Sequence, residues 1–293
     1  MSAPSATAAL SPFWLEVTEF ALQATASVGS QLLADFGQAH PTVRASGTES
    51  LKADGSLVTS SDQWADRAFQ GAIAAAYPDH GYLSEESNHI FPEKEWCWVV
   101  DPLDGTTNFA RGIPIWGSSL ALLHWGVPVF GCVHLPPIRQ TFYGYWPRFP
   151  GDAAAGAFLT RHDRDPACPQ PIRPSTASPG PNQLFNFCSR SSHWISPQFP
   201  CKARMLGGAA YNLLAVAGGS LLGAVERSPK IWDVAAVWVI VKGAGAVWEP
   251  LSCADPDPGQ PLIPGKDYGQ LIYPALVAAQ AEWIPLFRAF IAL

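Results

Sequence analysis

The chain has 293 residues, 48% hydrophobic and 14% charged: enough apolar material for one large folded unit or two closely packed halves, and too much for a disordered chain. Its formal net charge of −6 excludes non-specific affinity for nucleic acid or anionic lipid, since both depend on basic patches. Six cysteines without a CxxC pair, and no His or Cys at zinc-finger spacing, read as thiols of a reducing compartment.

Met1 to Pro12 is rich in Ala and Ser and lacks a cationic region followed by an apolar stretch, so no secretory leader is expected. No run of about 18 apolar residues exists, so no membrane span is expected, and the cytoplasm is the expected compartment. From Pro12 to Phe36, the residues Phe13, Val17, Phe20, Ala24, Val28 and Leu32 recur at helical spacing, and Gly37 follows as a C-cap. Residues 39–57 read as polar and irregular. A second helix is predicted from Ser61 or Asp62 to Tyr77-Pro78, with Ala65, Ala68, Phe69, Ala72, Ile73 and Ala76 on its buried face.

Trp96 to Val100 is a buried strand that should stop at Asp101-Pro102, where proline blocks continuation. Ser118–His124 and Pro128–Leu135 read as strands joined around Gly126, and Thr141–Trp146 as a third. Residues 147–183, rich in Pro, Gly and Asp, read as a connection between two halves, 1–150 and 151–293, of one integrated unit. Beyond it come a strand at Gln183–Cys188, a helix at Gly208–Ala217, a strand at Leu221–Glu226, an apolar helix at Trp232–Lys242 ending at Gly243, and a terminal helix at Trp283–Ala292. The irregular alternation favours a layered mixed α/β architecture over a strict βαβ array.

Three acidic segments stand out: Ser84-Glu85-Glu86-Ser87, Asp101-Pro102-Leu103-Asp104-Gly105-Thr106-Thr107, and Trp232-Asp233-Val234-Ala235-Ala236. Asp233 lies in an apolar run at an expected helix start, either as a capping residue or as a buried ligand. Asp101 and Asp104 follow an apolar strand. Two carboxylates three residues apart at a strand end can bracket a hard divalent ion, with the Leu103 carbonyl between them as a further oxygen; the alternative is a capped turn. If a helix starts at Gly105-Thr106-Thr107, its N–H groups face a bound anion. Glu85-Glu86 by itself reads as well as a solvated acidic loop.

Together these segments resemble the inositol monophosphatase family: Asp-Pro-Leu-Asp-Gly-Thr at 101–106 is similar to its first signature and Trp-Asp-Val-Ala-Ala at 232–236 to its second, in the family's order. The resemblance spans roughly residues 48 to 250. It implies an α/β (mixed α+β) layered αβαβα sandwich of the inositol monophosphatase and fructose bisphosphatase type. It also implies a homodimer and a magnesium-dependent phosphatase acting on a small phosphorylated metabolite. By position, Glu85, Asp101 and the Leu103 carbonyl resemble the first-metal ligands, Asp104 the ligand bridging to a second metal, and Asp233 the rest of that second site. Two or three Mg²⁺ ions are implied, with lithium sensitivity. Asp62, in Val58-Thr59-Ser60-Ser61-Asp62, matches the carboxylate that holds Thr106, and Thr106 the hydroxyl that positions the attacking water, with Glu85 beside it. Substrate contacts are implied for Asp104, Gly105, Thr106, Asp233, the backbone near Ala209 in Arg204-Met205-Leu206-Gly207-Gly208-Ala209-Ala210, and Glu226, seven residues before Asp233.

Glu226 falls where inositol-cleaving members place a glutamate that binds substrate hydroxyls; otherwise it is an exposed strand-end residue. Two departures from the family pattern are Ser84, where glycine is common, and Lys242-Gly243-Ala244-Gly245-Ala246 in place of a more acidic stretch. Neither removes a ligand. Inositol or related polyol and sugar monophosphates are the expected substrates, with histidinol phosphate as the alternative. Phosphoadenosine phosphate and fructose bisphosphate need basic contacts of which Arg227 and Lys230 are the only ones close to Glu226 in sequence. An inactive binding subunit is a further alternative, opposed by the intact set of acidic residues.

Overall fold

The computed structural model describes residues 11–38, 49–51, 57–147, 155–162 and 169–291. Its elements in chain order begin with α1 (Pro12–Gln38), β1 (Glu49–Leu51), β2 (Leu57–Thr59), α2 (Ser60–Ala76), β3 (Gly81–Ser84) and β4 (Trp96–Asp104). There follow α3 (Thr106–Arg111), β5 (Gly117–His124), β6 (Val127–Leu135), β7 (Gln140–Tyr145), β8 (Gly156–Arg161), β9 (Gln170–Pro171), β10 (Leu184–Phe187) and β11 (Lys202–Arg204). The chain closes with α4 (Ala209–Ala217), β12 (Gly223–Glu226), α5 (Ile231–Ala244), β13 (Val247–Pro250), β14 (Ala275–Ala278) and α6 (Ile284–Arg288).

Strands β3 to β9 form one sheet in sequence order, with β3 parallel to β4 and every later pair antiparallel. The second sheet has the order β11-β10-β12-β14-β13, with β10 parallel to both its neighbours. Helices α1 and α2 cover one face of the first sheet: Val17, Leu32, Ala65, Phe69 and Ile73 share a core with Trp98, Val100, Leu120 and Phe130. Helices α4 and α5 fill the space between the sheets, in a core that runs from Val99 and Val133 through Ala236 and Ile240 to Val225 and Val277. Phe287 of α6 packs on Phe185 of β10, their ring centroids 4.8 Å apart, beyond the second sheet. The result is the expected αβαβα stack.

Helix α5 explains its own composition. An element sandwiched between two sheets must be apolar all round, and 11 of its 14 residues are buried. It also lies on the first sheet at backbone distance. A Cβ added at Gly131 of β6 would stand 2.3 Å from the Ala236 carbonyl oxygen, so only glycine fits there.

Several expectations change. Strand β4 does not stop at Asp101 but runs through Pro102 to Asp104, with a register shift against β5 between the two aspartates. Proline fits because the irregularity removes the need for its missing N–H. The segment 39–57 contains β1 and the start of β2, an antiparallel pair, and residues 39–48 and 52–56 lie outside the described residues. Residues 147–183 are not only a connection. Strands β8 and β9 fall within them and complete the first sheet beyond residue 150. The expected terminal helix is a 3₁₀ turn at Ala281–Trp283 followed by the short α6; Ala292 lies outside the described residues. On α2, Ala65, Phe69 and Ile73 are buried, but Ala68 and Ala72 are half-buried and Ala76 is exposed. Cys97, Cys132 and Cys201 are buried, Cys188 is half-buried and Cys253 exposed, and all five are free. Among the described residues no helix is long and apolar enough to cross a membrane.

Candidate active site

The first sheet brings the acidic segments together by register. Because β3 and β4 are parallel with Ser84 opposite Val100, Glu85 leaves β3 beside Asp101, and its N–H donates to the Val100 carbonyl at 3.2 Å. Asp233 arrives from the other face, on the first turn of α5. Ser119 of β5 donates its hydroxyl to the Trp232 carbonyl at 3.3 Å, tying that turn to the sheet. One carboxylate oxygen each from Glu85, Asp101 and Asp233 lie within 4.8 Å of one another. Asp233 also caps its helix, from the third position rather than the N-cap: its Oδ2 accepts from the Lys230 N–H at 2.6 Å. The capping reading of Asp233 is thus met, and the same side chain stands in the acidic group.

Asp104 stands apart from this group of three. Its Oδ1 accepts from the Ala209 N–H at 3.0 Å and its Oδ2 from the Ala210 N–H at 3.2 Å, so it closes the N-terminus of α4. The Ala209 N–H expected to face substrate is thus held by Asp104 in this structure. The Leu103 N–H donates to Asp101 Oδ1 at 3.0 Å, and the Leu103 carbonyl faces the Thr106 hydroxyl at 3.0 Å. Gly105 turns the chain at φ +85°, where a Cβ would press on the Ile115 carbonyl oxygen at 3.0 Å, and α3 then begins at Thr106.

Thr106 Oγ1 lies 2.9 Å from Asp62 Oδ1. Asp62 is fixed by a capping box: its Oδ2 accepts from the Thr59 N–H at 2.7 Å and from the Thr59 hydroxyl at 2.5 Å. Glu226, at the end of β12, is buried rather than exposed, at 5% accessibility. Asn212 of α4 donates its amide N–H to Glu226 Oε1. Asn212 and Cys188, which shares a charge environment with Glu226, carried no motif in the sequence. Nor did His89, whose Nε2 sits 2.8 Å from the Glu85 carbonyl oxygen and whose ring stacks on Trp232.

Burial dominates the electrostatics. Desolvation raises Asp101 well above the ordinary carboxylate range, with the charges of Glu85, Asp233 and Asp104 adding to it. It lifts Asp104 to about 7, with Glu226 contributing, and Asp233 to about 8, with Glu85 and Asp104 contributing. Burial lifts Glu226 to about 8 against the lowering effect of Asn212, and burial also raises Asp62, with the Glu85 charge adding to it and hydrogen bonds from Thr59 and Thr106 opposing it. Carboxylates that face one another in a dry cleft are unstable as anions unless a cation joins them. An all-oxygen donor set of this kind fits a hard divalent ion.

A model of the inositol monophosphatase family matches residues 14–281, nearly the whole chain. The chain belongs to the inositol monophosphatase family. It is 31% identical over 290 residues to the inositol-1-monophosphatase of Synechocystis, covering 94% of this chain and 92% of that one. It is 30% identical over 205 residues to the histidinol-phosphatase of Mycobacterium tuberculosis, covering 66% and 74%. The extragenic suppressor protein suhB from Bartonella henselae superposes with a TM-score of 0.73 at 27% identity, covering 94% of this chain and 98% of that one. The chain is accordingly a phosphatase, a phosphoric monoester hydrolase of the inositol monophosphatase fold.

Proposed function

We propose that the chain hydrolyses monophosphates of inositol or of similar polyols and sugars, with Mg²⁺ held by Glu85, Asp101, Asp104, Asp233 and the Leu103 carbonyl. The observation that carries this reading is the placement of Glu226: a buried carboxylate, steadied by Asn212, within the charge field of Asp104 and Asp233. Such a group binds neighbouring hydroxyls strongly, because charge-assisted hydrogen bonds in a dry site are worth about 1.5–3 kcal/mol each.

Two or three Mg²⁺ ions bound there would supply the Lewis acidity and the lowered water pKa that phosphoester hydrolysis needs. The chain's residues do the rest. Thr106, donating its single hydroxyl proton to Asp62 Oδ1, keeps its lone pairs free to orient the attacking water. Asp62 is locked by Thr59 and holds Thr106 in one rotamer. Glu85, whose charge acts on Asp62, is the carboxylate that would receive the water's proton. Gly105 keeps the turn narrow enough for the phosphate to approach the backbone, and Glu226 and the backbone around Ala209 orient the leaving group.

A second reading, hydrolysis of histidinol phosphate, is favoured by the Mycobacterium relative of that name and by the ability of Glu226 to pair with an ammonium. Phosphate release from inositol phosphate, histidinol phosphate, fructose bisphosphate and phosphoadenosine phosphate, with and without Mg²⁺, tests both. Full turnover in excess chelator would refute the metal assignment. The best substrate chooses between the readings. A homodimer and a cytoplasmic location accompany this proposal and are checked by light scattering and by fractionation.

A further inference from the structure

Asp66 of α2 is a carboxylate at 4% accessibility that the proposed chemistry does not use. It points away from the cleft towards β3. Its Oδ1 accepts two hydroxyls at once: that of Tyr82, at 2.7 Å, and that of Ser84. Ser84 is fully buried, and its oxygen in turn accepts the Glu86 N–H at 3.2 Å. The Ser84 N–H donates to the Asn88 carbonyl at 2.9 Å, and the Asn88 amide donates to the Tyr82 carbonyl at 2.7 Å. Glu85 thus sits between Ser84, whose hydroxyl binds Asp66, and Glu86, whose N–H rests on that same hydroxyl. A carboxylate prefers hydroxyl donors, and in a desolvated setting it holds them at fixed positions. Consistent with this, burial and then the nearby Asp66 charge push the Tyr82 hydroxyl far above its ordinary range.

We infer that Asp66 is a positioning residue which, through the Ser84 hydroxyl, sets where the Glu85 carboxylate stands relative to Asp101 and Asp233. Serine is the informative residue here. Where glycine is common in the family pattern, this chain has a buried hydroxyl that donates to Asp66. The backbone turn that presents Glu85 is therefore anchored to α2 as well as to β4. Asp62, which holds Thr106, lies one helical turn earlier on α2, so the same helix anchors both sides of the cleft. This inference rests on the reading of Glu85 as a metal ligand.

The test is direct titration of the purified chain with Mg²⁺ and Mn²⁺ by calorimetry, for the wild type and for Glu85→Gln, Ser84→Ala, Tyr82→Phe and Asp66→Asn. Melting curves in chelator accompany each. Outer-sphere supports of metal ligands typically cost about 10–100-fold in affinity when removed. Ser84→Ala should therefore weaken divalent binding by about tenfold while the chelated melting temperature stays near wild type. Restoring the hydroxyl with Ser84→Thr should recover part of the loss. Asp66→Asn should be at least as weak; if it does not fold, Ser84→Ala decides. Unchanged affinity in a folded Ser84→Ala variant, with Glu85→Gln clearly impaired, overturns the positioning role and leaves the metal site standing. Unchanged affinity in Glu85→Gln overturns the ligand assignment, and the positioning role with it.

Discussion

Two groups of carboxylates differ in what they face, and of the first only Asp101 is fully buried. Glu85, Asp101 and Asp233 face one another. Asp62 and Asp66 face hydroxyls and N–H groups supplied by their own neighbourhood. Asp101 and Asp233 each have one N–H donor, from Leu103 and Lys230, but like charges press on both; Asp62 and Asp66 are buried against donors that offset their lost hydration. The difference teaches where an outside ion belongs. A carboxylate surrounded mainly by donors supports structure, and the cluster pressed together by like charge is the one proposed to take a cation. Asp104 and Glu226 are intermediate: the chain gives them donors, Ala209, Ala210 and Asn212, yet each still lies in the field of the cluster.

The largest expected effect breaks the first group. Asp101→Asn and Asp233→Asn should each lower kcat by roughly two orders of magnitude or more, since even the outer supports of metal ligands count for about 10–100-fold. The fold should persist, because like-charge repulsion in the metal-free state is relieved. Steady-state kinetics against Mg²⁺ concentration checks this, and near-normal kcat with unchanged Mg²⁺ dependence would refute the assignment. Glu226→Gln probes the intermediate pair. It should cost roughly tenfold in kcat/KM for a polyol phosphate, as expected from losing charge-assisted bonds of about 1.5–3 kcal/mol. An aryl phosphate without hydroxyls should be almost unaffected. An equal loss on both substrates would mean that Glu226 is structural or catalytic.

A smaller effect concerns stability. Asp104, Glu226 and Asp233 titrate near 7, 8 and 8 in the folded chain, against about 4 when unfolded. Between those values the native state keeps protons that the unfolded chain has released, so stability falls as pH rises. In chelator the melting temperature should drop by several degrees from pH 5 to pH 8, on a scale of about 2–4 °C per kcal/mol. Saturating Mg²⁺ should flatten that slope by replacing protons with a cation. A flat profile without metal would remove the contrast between the two carboxylate groups. The subtlest expectation is lithium inhibition, uncompetitive and in the millimolar range; no effect at tens of millimolar would count against the second metal position.

Much of the first sheet was legible because its strands are long apolar runs with a turn at Gly126, and α2 because its cap and its apolar face are both local signals. Of the short strands, β10 and β12 were legible and others were not. Gly81–Ser84 is four residues between a proline turn and the acidic loop, and Ala275–Ala278 exists only because β12 and β13 flank it from distant parts of the chain. The clustered acids could be read since charges in apolar surroundings stand out. Asp66 could not, because an aspartate on an amphipathic helix ordinarily marks the wet face. Its spacing held a clue all the same. It follows Asp62 by four residues and precedes Phe69 by three, which places it on the buried side. Asn212 and His89 left no such trace: each acts on a carboxylate or a carbonyl far from it in sequence or through a stacked ring.

The close seating of α5 on β6 has a consequence for tolerance to mutation. Helix–sheet spacing in most proteins is set by side chains, and drifts as a core is repacked over generations. Here backbone meets backbone at Gly131 and Ala236, one turn of helix from Asp233. The distance from Asp233 to the strand that carries Asp101 is therefore decoupled from the identity of the surrounding leucines, valines and tryptophans. The apolar interior can vary widely while the spacing of the acids stays put, so long as position 131 remains glycine.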